Sequence, residues 1–490
     1  MFKFLNALVF GGVVTVWAFQ VQMTPETAFK SYDDGLFKPI ETLSALSENA
    51  FTTMGHPNFP NYSVRIKKSS FCDKTVKSYT GYIDINAHHL FFYFFESRND
   101  PDKDDVILWT NGGPGCSSTV GLFMELGPCR IVDEKGPKFH PESWNSNSNI
   151  FFIDQPADVG YSYADFGDPI SNSHDAAKDI TAFVTIFFEN FSKFKGRAFH
   201  LAGESYGGRY LPIFASDIYD HNTKLVDSGL TPINLTSVML GNGMTNVHLM
   251  LEGYYKTTCS ADGDPGIYDI STCVAMKKGL PRCLKWYKES CVDQFDHINC
   301  AAADSFCELL LAQPYYDAGK NPYDITKSCS PEELENSLCY PALEHAANYL
   351  TRDDIRHKLG VDPAQNFTRC SEPVANAFIA SLDMFQPTHL HVAALLERGV
   401  KVLVYVGAND WICNWLGNEA WTLDLEWSGQ EVFKKQQLRE WQVDGKDAGK
   451  TRSTGGLTFA TIYGGGHMAP YDRPKESLEL VNRWLRGEEL

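Results

Sequence analysis

The sequence predicts an α/β protein: a mostly parallel central sheet with helices on both faces, interrupted by a disulfide-rich insertion. Three observations carry this. Short apolar runs alternate with helix-like stretches along most of the 490 residues. The runs are near-continuously apolar, as strands covered on both faces must be. The pattern breaks once, over about residues 244–386, where eight of the thirteen cysteines crowd between Cys259 and Cys339 among Gly, Pro and Asp.

The elements follow in order. "MFKFLNALVFGGVVTVWAFQVQ" has one lysine and then an apolar run to about Ala18, the layout of a secretory signal peptide over residues 1–18. An uncleaved anchor is the other reading of this stretch, and it is short for a spanning helix. No later stretch reaches transmembrane length, so no stable membrane insertion is expected of the mature chain. Residues 19–68 read either as a propeptide removed near "RIKKSSF" or as an ordered N-terminal arm, and the propeptide boundary is placed at 68. "YTGYIDI" and "HHLFFYFFES" read as a strand pair at a sheet edge. "VILWT", "IFFID", "AFHLAG", "SVMLGNG", "VKVLVYVG" and "LTFATIYGG" read as the buried strands, with "DAAKDITAFVTIFFENF" as a helix packed on them. The core is therefore split into 69–243 and 387–490 around a cap insertion at 244–386.

Lys+Arg 43 against Asp+Glu 61 gives a net charge of −18, which argues against a nucleic-acid surface. It suits a protein that works in acid, where carboxylates protonate and their mutual repulsion falls. Thirteen cysteines without C-x-x-C pairs, together with sequons at Asn61, Asn190, Asn234 and Asn366, point to the secretory route.

"GESYGG" (203–208) follows one of these strands and precedes a helical stretch, so Ser205 stands where a G-x-S-x-G nucleophile is lifted above a sheet edge. A serine hydroxyl needs a base. In the order this turn requires, an acid and then a histidine must follow, and Asp410 and His467 sit in loops past later strands. "WTNGGPGCSS" (109–118) supplies a glycine-rich loop, so the oxyanion donors are assigned to the backbone of Gly113 and Tyr206. A phosphate loop is the rival for that stretch, but no Gly-Lys-Ser/Thr follows. His389 and His391 lack acid or cysteine partners at zinc spacing, so no metal and no cofactor is expected.

"NGGPGCSS", "FFIDQPADVGYSY", "GESYGGRY", "DWICNWLGNEAW" and "GGGHMAPYDRP" resemble the serine carboxypeptidase family of the carboxypeptidase Y type. The similarity runs from about Tyr79 to the C-terminus. It implies an α/β-hydrolase fold and removal of C-terminal residues from peptides or proteins through an acyl-enzyme at acidic pH. It implies that Asn111, the backbone of Gly112, Glu125 and Glu204 bind the substrate carboxylate, bordered by Trp109. Two close glutamates cannot both ionise cheaply, so one keeps a proton for that carboxylate. It further implies the pairs Cys116–Cys370, Cys259–Cys273, Cys283–Cys307, Cys291–Cys300 and Cys329–Cys339. Cys72 and Cys129 are then inferred to pair, leaving Cys413 over. The resemblance places Cys413 in the pocket for the acyl-side residue. Met244 and Tyr254, with Met124 and Met468 nearer the leaving residue, make the pocket apolar. Relatives that pass the acyl group to an alcohol keep acyl transfer open as the alternative activity; an inactive binding protein would need a lost triad member. A monomer in a vacuole, a lysosome-like compartment or the medium is expected.

Overall fold

The computed structural model describes residues 39, 43–167, 169–260 and 266–490. The expected signal peptide, and the expected propeptide up to residue 38, lie outside them.

Within the unit Pro39–Leu490, the chain runs through β1 (Thr52–His56), β2 (Phe59–Lys68), β3 (Ser78–Ile85), β4 (His88–Phe95) and β5 (Val106–Thr110). A two-residue pair follows, β6 (Cys129–Arg130) and β7 (Lys138–Phe139), then β8 (Asn149–Ile153), β9 (Tyr163–Ala164) and α1 (Ser173–Asn190). Next come β10 (Phe199–Ser205), α2 (Gly207–Asp227) and β11 (Leu235–Gly243). After the insertion the sheet resumes with β12 (Lys401–Gly407), β13 (Arg439–Val443), β14 (Lys446–Thr454) and β15 (Leu457–Ile462). Among the described residues thirteen strands share one sheet, in the order β1-β2-β3-β4-β8-β5-β10-β11-β12-β15-β14-β13, with β9 on β4. The run from β8 to β15 is parallel. The flanks are antiparallel.

β4 shows why both faces are covered. Leu90, Phe92 and Phe94 point to one core, where Phe92 meets Phe183 and Phe94 meets Phe187 of α1. Phe91, Tyr93 and Phe95 point to the other, with Trp109 and Trp144. A strand apolar on alternate and intervening positions alike belongs inside a sheet. The expected edge position of the β3–β4 pair is thus corrected: β1 and β2 lie outside it.

The arm is part of the fold from Thr52 onward. β2 pairs with β3 from Tyr62↔Ile85 to Lys68↔Tyr79, and Val64 and Ile66 are fully buried. The boundary at residue 68 expected for a propeptide therefore falls at the end of an integrated strand, and a cut there would remove two strands from the sheet. β13 and β14 escaped the strand reading because they are largely polar; their legible signal was the Asp444-Gly445 turn, both residues having positive φ (50° and 72°).

The insertion opens with α3 (Val247–Cys259), α4 (Ile270–Tyr287) and α5 (His297–Leu311). Their small core forms around Cys283, Cys291, Cys300 and Cys307. Four disulfides lie wholly inside the insertion, Cys259–Cys273, Cys283–Cys307, Cys291–Cys300 and Cys329–Cys339. Cys116–Cys370 ties it to the loop after β5, Cys72–Cys129 ties the residues after β2 to β6, and Cys413 is free and buried. Asn61, Asn234 and Asn366 are exposed, but Asn190 is not. Its side chain is 1% exposed and Nδ2 donates to Ile186 O at 2.8 Å, so the folded protein does not present this sequon.

Cys72–Cys129 closes a separation of 57 residues. Replacing both with serine is expected to cost about 2–4 kcal/mol of stability by freeing the unfolded chain. The check is a thermal melt: the variant should melt several degrees lower with kcat unchanged.

Candidate active site

β10 ends at Ser205, whose φ of +62° is the strained turn that raises a side chain off a strand end. Only a residue without Cβ fits at Gly203: a Cβ there would sit 2.3 Å from Thr110 O of the neighbouring strand. Met244 N donates to Ser205 O at 2.9 Å, so the first residue past β11 fixes the turn from the other side.

His467 arrives in the loop after β15. Its ring is 3% exposed and Nδ1 lies 2.8 Å from Asp410 Oδ2. A carboxylate can only accept, so Nδ1 carries the hydrogen and Nε2 is left to act as the base. Asp410 in turn accepts from Asn242 Nδ2 (2.8 Å) at Oδ2 and from Cys413 N (3.3 Å) at Oδ1. The cap completes the arrangement: His467 N donates to Tyr323 O at 2.7 Å, and the two rings lie 5.1 Å apart.

Ser205, His467, Glu204, Asn111, Gly112, Gly113, Tyr206, Met244 and Met468 line one cavity of about 330 Å³. Gly112 makes the approach of the two loops possible, since a Cβ on it would lie 2.3 Å from Tyr206 N. Gly113 turns with φ +113°, and Gly112 brings the glycine loop against the Tyr206 backbone next to the serine.

Behind the wall stands a buried polar chain. Trp109 Nε1 donates to Asn111 Oδ1 (2.7 Å), as does Gly121 N (2.9 Å), and Asn111 Nδ2 donates to Glu125 Oε1 (3.2 Å). Glu125 and Glu204 are 0% and 3% exposed. Burial raises both carboxyls above their ordinary range; the Glu125 charge raises Glu204 further, while hydrogen bonds with Glu204 and then Asn111 pull Glu125 partly back. The pair therefore keeps a proton between them where an ordinary carboxylate would have lost it.

Three expected pocket residues do not reach the cavity wall. Cys413 is fully buried beside Asp410. Tyr254 packs on Trp411 with its hydroxyl donating to Ile412 O at 2.9 Å. Met124 sits in a buried cluster with Met468 and Val120. They support the wall, and Ile412, Val120, Leu338, Ala375 and Ile379 take their place on it. The reason is that the cap folds over the site, which no single stretch of sequence reports. Burial, reinforced by Asp410 and Glu204, holds the Cys413 thiol well above its ordinary range, so it is a neutral, small apolar group. One donor atom each of Asp410, Cys413 and His467 lies within 4.8 Å of the others, but His467 Nδ1 and Asp410 already bond to each other. His391 Nδ1 lies 2.9 Å from Ser216 Oγ, and burial pushes His389 down to about 4.

Two residues that the sequence reading passed over support the site. Asn242, in the left-handed region at φ 42°, holds Asp410 with Nδ2 while its Oδ1 accepts from Gly407 N (3.1 Å). The only sequence signal was its place at the end of a strand. Asp154, at the end of β8, accepts from Ser117 Oγ (2.5 Å) and Ser118 N (3.2 Å) behind the glycine loop, and burial pushes it up to about 7. Asn242→Ala removes a hydrogen bond to a charged group, worth about 1.5–3 kcal/mol. If the bond counts fully in the transition state, kcat falls about ten- to a hundred-fold. Steady-state rates at constant pH would check this.

An elbow serine with an aspartate-backed histidine, mounted at the carboxyl ends of a parallel sheet, defines a serine hydrolase of the α/β-hydrolase class. A family model described as serine carboxypeptidase matches residues 70–487, and the chain belongs to that family. It is 42% identical over 433 residues to the Carboxypeptidase Y of Candida albicans, covering 88% of this chain and 77% of that protein. To the Carboxypeptidase Y homolog A of Fusarium vanettenii it is 42% identical over 433 residues, covering 87% and 78%. The crystal structure of Kex1(delta)p, a prohormone-processing carboxypeptidase from Saccharomyces cerevisiae, superposes with a TM-score of 0.72 over 92% of this chain and 96% of that one. At 21% identity that likeness concerns the fold. The protein is thus a serine-type carboxypeptidase.

Proposed function

We propose that this enzyme removes C-terminal residues from peptides and proteins in mildly acidic surroundings, through an acyl-enzyme on Ser205. The observation that carries this reading is the buried Asn111–Glu125–Glu204 chain opening beside Ser205. An endopeptidase has no use for it; an enzyme that selects a free α-carboxylate does. The proton kept by the Glu125–Glu204 pair is donated to the substrate carboxylate, and Asn111, its Oδ1 fixed by Trp109 and Gly121, offers Nδ2. The scissile carbonyl then lies over Ser205. His467 takes the hydroxyl proton, the Gly113 and Tyr206 N–H groups meet the oxyanion, and His467 returns the proton to the leaving amine. Water repeats the cycle and frees the shortened peptide.

The apolar wall from Met244, Met468, Val120 and Ile412 favours hydrophobic side chains on both sides of the cut. Six disulfides and three exposed sequons fit passage through the secretory route and work as a monomer in a vacuole, a lysosome-like compartment or the medium. No helix among the described residues is long and apolar enough to cross a membrane.

The test is to incubate the purified protein at mildly acidic pH with a blocked dipeptide of two apolar residues, and separately with its C-terminal amide. Free amino acid should appear quickly from the acid and much more slowly from the amide. Equal rates on the two would remove the carboxylate reading, and an ester product with added alcohol as the main outcome would mark acyl transfer.

A further inference from the structure

The residue after the nucleophile is anchored at its far end to a buried carboxylate at the end of the cap. Tyr206 Oη donates to Asp383 Oδ2 at 2.8 Å. The same carboxylate accepts from Ser173 N (2.8 Å) at Oδ1 and from Ser173 Oγ (2.7 Å) at Oδ2, at the first residue of α1. Asp383 is 2% exposed. Its backbone is held as well: Arg209 Nη2, on α2 and 1% exposed, donates to Asp383 O (2.7 Å) and Gln386 O (2.5 Å), while Nη1 donates to Thr245 O (3.2 Å). The Tyr206 ring is packed edge-on against Tyr210 at 5.1 Å and Phe378 at 5.9 Å. Three elements far apart in sequence, the elbow, the start of α1 and the end of the insertion, thus close on one carboxylate.

We propose that Asp383 is a positioning residue of the catalytic site: by holding the Tyr206 phenol it sets the direction of the Tyr206 N–H that meets the oxyanion. The inference rests on the reading of Ser205 and Tyr206 given above. The physical reason is leverage. Tyr206 sits between a strained serine at φ +62° and the first turn of α2; the carbonyl of the peptide that carries its N–H accepts from Met244 N at 2.9 Å, and the phenol anchor holds the same residue at its other end. The two restraints together fix how that N–H is aimed. An oxyanion donor is worth its full effect only when aimed at where the charge develops, and a displacement of about 1 Å can cost about a hundredfold in rate. A carboxylate with three donors, buried at the N-terminus of α1, is a rigid peg for this purpose. The arrangement also makes the seating of the cap a condition for a well-aimed oxyanion hole, because Asp383 belongs to the last turn of the insertion.

The test uses hydrolysis of an activated acyl ester without a free carboxylate, which needs the nucleophile and oxyanion hole but not the carboxylate chain. Tyr206→Phe keeps the ring and removes only the anchoring hydroxyl; it is expected to lower kcat about tenfold with KM changed less than about twofold. Asp383→Ala should lower kcat by about ten- to a hundred-fold, and adding it to Tyr206→Phe should produce little further loss, since both remove one interaction. The Cys72→Ser/Cys129→Ser variant, less stable but distant in sequence from this carboxylate, serves as the control whose kcat stays at the wild-type value. If Tyr206→Phe keeps full kcat, or the two losses multiply, the positioning role is overturned, and Tyr206→Phe decides the matter even if Asp383→Ala does not fold. A wild-type protein inert toward the ester overturns the reading of Ser205 and this inference together; activity on the ester without release from dipeptides overturns only the carboxylate reading.

Discussion

Ser205→Ala is expected to reduce release of amino acid from a blocked dipeptide by about four orders of magnitude or more, with KM or product affinity little changed. The magnitude follows from the way the triad works as a unit. Without the hydroxyl no acyl-enzyme forms, and what is left is the modest catalysis that an oxyanion hole and substrate binding give to a passing water. Binding should survive because the groups assigned to the substrate carboxylate lie in a separate chain, Asn111 to Glu125 and Glu204. The decisive measurement is single-turnover kinetics with enzyme in excess, beside equilibrium binding of a cleavage product. A residual rate within tenfold of wild type would show that another group is the nucleophile.

The second large effect is on pH dependence. Burial raises the carboxyls of Glu125 and Glu204 above the ordinary carboxylate range, and the Glu125 charge raises Glu204 further. At acidic pH the pair holds a proton to share with a substrate carboxylate. As the pH climbs past the raised value that proton leaves, and two negative side chains face a negative substrate. KM for peptides with a free C-terminus should then rise by roughly tenfold per pH unit, since binding requires the proton that was lost. The C-terminal amide should show no such rise. Glu204→Gln, always neutral, should flatten the profile of the acid substrate on the alkaline side. The same groups act on stability with a definite sign. Their folded-state values lie above the unfolded ones, so their contribution is fully present below the unfolded carboxylate range and is lost as pH rises through the folded value. Melting temperature should therefore decline less on the alkaline side in Glu204→Gln than in wild type. A profile for the acid substrate that parallels the amide in the wild-type enzyme would dismiss the carboxylate pair as the cause.

Particular residues show what could be read along the chain. Apolar runs without alternation marked β5, β8, β10, β11, β12 and β15, because a strand buried on both faces has no polar side. The glycines of "GESYGG" marked the elbow, because only small residues let the turn pass beside Thr110. Asp410 and His467 were legible from chain order and their places after strands. β13 and β14 were not, since a polar hairpin at a sheet edge has no hydrophobic signature; nor was the order of β1 and β2 outside β3, because the same residues suit a removable segment. Asn190 shows a further limit: its sequon is intact, yet the side chain is turned inward to Ile186 O.

By itself the sequence pointed to the proposed chemistry, with its candidate hydroxyl, imidazole and carboxylate, to the parallel sheet that carries them, and to an odd count of cysteines that leaves at least one thiol unpaired. These depend on local pattern and on order along the chain. The tertiary structure alone decided which side chains form the wall and which stand behind it, placing Met244 and Met468 at the cavity and withdrawing Cys413, Tyr254 and Met124. It alone brought Asn242 to Asp410, Tyr323 to His467 and Asp383 to Tyr206, across separations of 168, 144 and 177 residues. The physical reason is that a hydrogen bond between distant segments is specified by how the cap packs on the sheet, a property of many weak contacts at once and of no single motif.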